Sequence, residues 1–84
     1  MYNKQAFLNL SEKIRASKIR ETSKFKEIIN SLSYMDILKV SDQIILLCLQ
    51  FDVNCQDLIN IQDEYKRSVV PEEEFKKAVY TVLA

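Results

Sequence analysis

The chain has no glycine and one proline among its 84 residues, so few positions force a break once a helix has begun. Apolar residues recur at helical spacing throughout, and no stretch alternates apolar with polar side chains as a half-buried strand does. The fold class is therefore read as all-α. The missing glycines also argue against a phosphate-cradling loop, in which the backbone must approach closer to phosphate than a side chain permits.

Four helical stretches account for the chain. In residues 1–32, Phe7, Leu10, Ile14, Phe25, Ile28, Ile29 and Leu32 share one face, but Lys18 and Glu21 interrupt it. Two readings stay open: a kink near Ser17 makes two helices, or one long helix projects past its bundle and leaves the gap in water. Ser33 and Asp36 have capping-box spacing, so a second helix is predicted over 33–51. Its apolar positions Ile37, Leu38, Val40, Ile44, Ile45, Leu47, Cys48, Leu49 and Phe51 cover more than half the circumference, which predicts the central helix of the fold. Asn54 and Asp57 mark a third start, with Leu58, Ile61 and Tyr65 facing inward and an end near Arg67. Pro71 and Glu72–Glu74 open a fourth helix that buries Phe75, Ala78, Val79 and Val82.

At this length the expected architecture is a single domain, 1–84: a compact three- or four-helix bundle, with a helical homodimer open to it. A chain this short hides only roughly 60–65% of its unfolded surface, so a second copy or another partner would add materially to its stability. An apolar fraction of 48% with 29% charged residues is that of an ordinary globular chain, and no run approaches a membrane span. Without a secretory leader at its N-terminus the chain is expected in the cytoplasm, with no membrane partner. Net charge is zero but segregated: residues 1–27 hold seven Lys/Arg against three Asp/Glu, and residues 52–74 hold two against seven.

The absence of histidine removes Ser-His-Asp and Cys-His catalysis and any imidazole metal ligand. Cys48 and Cys55 alone are too few for a four-ligand zinc site. No enzyme activity, cofactor or metal is expected. The two cysteines lie seven residues apart; on one continuous helix they would sit about 10 Å from each other, and only a turn between them could bring them together. They are read as free thiols, with a redox role as the lesser alternative.

Recognition is the expected function: a regulator, inhibitor or adaptor that docks helix surfaces on another protein or on a second copy of itself. Ile19, Leu46, Ile59 and Tyr80 lie off the main apolar stripes and are the candidate anchors, with Lys13, Arg20 and Lys24 orienting the partner from the rim. The alternative is nucleic-acid binding. Residues Leu47 to Ile61 resemble the apolar skeleton of a helix-turn-helix, in which Gln56 and Asn60 would meet the bases. Asp57, Asp63 and Glu64 oppose phosphate there, and Asp52 stands where such motifs carry their turn glycine. Residues 31–51 also resemble the small aspartyl-phosphate phosphatases of sporulation control, with Ser41, Ile44 and Leu47 at matching positions. Ile45 stands at that family's signature Asp and cannot position a water, so no family is assigned.

Overall fold

The computed structural model describes residues 1–84, which form five α-helices and no strand. They are α1 (Lys4–Ala16), α2 (Ser23–Ser31), α3 (Ile37–Gln50), α4 (Gln56–Lys66) and α5 (Glu72–Leu83), with a single 3₁₀ turn, Ile19–Glu21, between α1 and α2. No helix is long and apolar enough to cross a membrane.

The polar gap in the first stretch is a break. Ser17 is extended at ψ −178°, and its hydroxyl both donates to the Ile14 carbonyl at 2.7 Å and accepts the Ile19 amide at 3.1 Å. Thr22 closes the break from the other side. Its hydroxyl donates to the Ile19 carbonyl at 2.7 Å and accepts the Phe25 amide at 3.1 Å, capping α2. The break re-aims the intervening residues, so Ile19 enters the core.

α3 begins three residues later than a cap at Ser33 implies. Asp36 is itself the N-cap, accepting the Leu38 amide at 2.7 Å, while residues 32–35 turn on the Ser31 carbonyl. α3 and α4 both end in left-handed residues that are not glycine, Asp52 at φ 55° and Ser68 at φ 61°. Each closes a paired-bond turn. Val53 donates to Cys48 at 2.8 Å and Asp52 to Leu49 at 3.4 Å; Val69 donates to Glu64 at 2.8 Å and Ser68 to Tyr65 at 3.1 Å.

The core is one continuous cluster, to which α5 contributes by packing against α1, α3 and α4. Phe75, Ala78, Val79, Val82 and Leu83 are all buried, and Tyr65 stacks on Phe75 with ring centroids 4.8 Å apart. α3, the expected centre, likewise packs against three helices, α2, α4 and α5. α3 buries Ile37, Val40, Ser41, Ile44, Leu47 and Cys48, half-buries Leu38 and Ile45, and leaves Leu46 and Leu49 exposed.

α3 and α4 are tied by a polar contact within this apolar surround. Gln62 is buried, and its Nε2 donates to Ser41 Oγ at 2.7 Å and to Asp42 Oδ1 at 2.6 Å. The Ser41 hydroxyl donates to the Leu38 carbonyl at 2.9 Å, and no buried side-chain polar atom is left without a partner.

Candidate functional site

The outward side of α3 carries exposed apolar residues. Leu46 and Leu49 are 59% and 60% exposed, and Phe51 at the helix end is 38% exposed. Leu38 and Ile45 lie half-buried on the same flank as Leu49, because positions 38, 45 and 49 fall on one line of a 3.6-residue helix. Beside Leu46 a shallow cleft runs to α2, lined by Lys24, Gln43, Leu46, Leu47 and Gln50. The arrangement is an apolar ridge with a polar and basic margin.

Of the expected anchors, Leu46 and Tyr80 are exposed, Tyr80 by 47%, while Ile59 is half-buried on α4. Ile19 is corrected: at 1% exposure it is a core residue and has no surface to offer. The basic residues do not form one ridge, since the break at Ser17 puts Lys13 on α1, Arg20 on the 3₁₀ turn and Lys24 on α2. Lys13 and Lys24 are exposed and make no ion pair. Arg20 is used internally. Its guanidinium lies 5.3 Å from the Phe25 ring centroid, and Nη1 donates to the Ala84 carbonyl at 3.2 Å beside Arg15 Nη2 at 2.8 Å. Only Lys24 and Leu46 share a cleft; Tyr80 lines another, on α5 with Lys76, Lys77 and Thr81.

Leu49, Phe51 and Ile29 were expected in the core and are instead exposed, Ile29 by 41%. For Leu49 and Phe51 the signal was the apolar excess of the 33–51 segment, which is too wide for its neighbours to cover.

Charge segregation along the sequence becomes segregation in space. At the start of α1 the Met1 amino group meets Glu64, the Tyr2 amide donates to Glu74 at 2.9 Å, and Asp57 and Glu73 line the adjoining clefts. Arg15 and Arg20 gather at the other end, about 18 Å away along the helix.

Three ionisable groups have displaced pKa values: two buried thiols and the hydroxyl of half-buried Tyr65. Burial pushes the Cys48 thiol up to about 12 and raises that of Cys55. The Tyr65 hydroxyl is held above its ordinary value chiefly by donating to Glu72 at 3.0 Å. No three His, Cys, Asp or Glu side chains converge as a metal-binding group. No family model, curated protein or solved structure matched this chain.

Proposed function

We propose that this protein is a non-catalytic interaction module, a small cytoplasmic regulator, inhibitor or adaptor that docks a helix face on another protein or on a second copy of itself. The observation that carries the proposal is the outward side of α3, where Leu46 and Leu49 stand exposed one turn apart beside half-buried Leu38 and Ile45. Scattered exposed leucines are ordinary, whereas a contiguous apolar ridge with a polar margin marks a contact surface. Lys24, Gln43 and Gln50 supply that margin. In a homodimer the ridge would pair with its own copy about a two-fold axis.

The test is association measured against fold. Light scattering across a concentration series reports self-association, and cross-linking from position 46 in the native cell reports a different partner. Leu46→Asp and Leu49→Asp should reduce association at least tenfold with helix content unchanged. Undiminished association in both variants, or none at all in the parent chain, removes the proposal.

The helix-turn-helix alternative draws on the α3–α4 corner, where left-handed Asp52 serves in place of a turn glycine. Electrostatics opposes it. Gln56 and Asn60 are exposed on α4 but bonded to each other at 2.8 Å, and Asp57 and Asp63 are exposed on the same helix. Gel retardation at low salt decides, since steeply salt-dependent duplex binding would replace the protein-docking reading.

A further inference from the structure

Arg15 and Arg20 are five residues apart, so on one unbroken helix they would point about 140° away from each other. The break at Ser17 undoes that divergence. Arg15 leaves the last turn of α1 and Arg20 the 3₁₀ turn, and both reach the end of α5. Three donors meet there on one atom, the Ala84 carbonyl oxygen: Arg15 Nη2 at 2.8 Å, Arg20 Nη1 at 3.2 Å and Ser11 Oγ at 3.1 Å. Ser11 is buried at 4% exposure, while Arg15 is exposed and Arg20 half-buried. The Phe25 ring under the Arg20 guanidinium steadies that group.

The donors outnumber what one oxygen can take. A carbonyl oxygen has two lone pairs, whereas each guanidinium carries several N–H groups in a fork that matches a carboxylate or a phosphate. No acidic side chain answers the two positive charges. The ion pairs of the molecule lie elsewhere, and Glu12 and Glu21, near this site in sequence, join none of them. The adjoining cleft adds a third cation. It is lined by Arg20, Phe25, Lys26, Ile29 and Asn30, again with no carboxylate, and Lys26 is exposed and unpaired.

We propose that Arg15 and Arg20 form an oxyanion-binding site at the junction of α1, the 3₁₀ turn and the end of α5, which takes a carboxylate or phosphate group. Ser11 and the Ala84 carbonyl are its anchor: the buried hydroxyl holds the oxygen on which both guanidiniums are spaced. The N–H groups left over on the two forks donate to the oxygens of the ligand. Its negative charge offsets the repulsion between two cations held close together, a gain that an isolated surface arginine does not offer. Lys26 adds attraction from the neighbouring cleft.

Inorganic phosphate is titrated into the whole chain while NMR spectra follow the arginine Nε–H signals, with sodium chloride of equal ionic strength as the control. The Arg15 and Arg20 signals should move together and saturate at millimolar phosphate, and that of Arg67, which pairs with Asp63 at 3.3 Å, should stay in place. Acetate separates the two ligand groups: a matching saturable shift extends the site to carboxylates, and silence confines it to phosphate. Arg15→Gln should weaken phosphate binding at least tenfold with helix content unchanged. Should that variant fail to fold, Arg15→Lys keeps the charge, loses the fork and should weaken binding severalfold. A chain ending in an α-amide at Ala84 should bind at least as tightly, since residue 84 then brings no charge to compete. Equal shifts with chloride, a response shared by Arg67, shifts that never saturate, or undiminished binding in the Arg15 variants would each overturn the proposal.

Discussion

At the scale of single residues, two corners hold backbone that L-amino acids resist. A left-handed conformation costs a non-glycine residue about 1–2 kcal/mol, and aspartate tolerates it better than serine does. Ser68→Gly should therefore stabilise the protein by about 0.5–1 kcal/mol, net of the extra freedom glycine gives the unfolded chain. Asp52→Gly should do less. Urea denaturation of both variants checks the order, and a loss of stability in Ser68→Gly would contradict it. Gln62 carries the opposite expectation. Gln62→Ala abandons the hydrogen bonds to Ser41 and Asp42 and should cost about 1–3 kcal/mol. Combined with Ser41→Ala it should cost less than the sum of the two single losses, because the serine is then no longer deprived of a partner. Cys48 makes stability depend on alkaline pH. Its thiol stays neutral in the folded protein up to about 12 against an ordinary 9.0, so the unfolded chain gives up that proton first as pH rises. The contribution is whole below pH 9.0 and is lost as pH climbs toward 12. Urea midpoints across this range should fall more steeply in the parent chain than in Cys48→Ala.

At the scale of elements, a buried and an exposed aliphatic residue separate core from surface. Ile19→Ala should cost about 2–4 kcal/mol, as expected of a fully buried isoleucine, while Leu46→Ala should stay within about 0.5 kcal/mol. Thermal or urea unfolding distinguishes them; comparable losses at both sites would mean that α3 lacks the free face assigned to it. Some of this was legible beforehand. The inward face of α5 follows from the spacing of Phe75, Ala78, Val79 and Val82, while the interruption by Lys18 and Glu21 left a kink near Ser17 and one long projecting helix both open, and the chain breaks at Ser17. Ile19 was misplaced because its direction was reckoned along an unbroken helix, and the Ser17 and Thr22 hydroxyls bend the chain away from that line. Leu49 was misplaced for a different reason. Periodicity reports which side of a helix is apolar, not how much of it neighbours cover, and α2, α4 and α5 pack on α3 without closing over Leu49. Gln62 left no pattern at all, since a polar residue on an apolar face looks the same whether or not a serine waits opposite.

At the scale of the whole molecule, the two charge poles lie at opposite ends of α1 and contribute little to holding the fold together. The ion pairs Met1–Glu64, Arg67–Asp63 and Lys76–Glu72 all sit at the surface, and pairs of this kind are weak and screened by salt. Raising sodium chloride from low concentration to about 0.5 M should shift stability by less than about 1 kcal/mol. A larger fall, read from urea midpoints, would mean that the poles brace the bundle. The backbone at the two corners bears on folding more broadly. A polymer with a β-carbon on every unit wanders through a narrower set of disordered shapes than one punctuated by glycine, so less freedom is surrendered when it collapses. The strained dihedrals at Asp52 and Ser68 give back part of that advantage. Entropy spared along the whole ribbon is thus exchanged for enthalpy concentrated at two hinges.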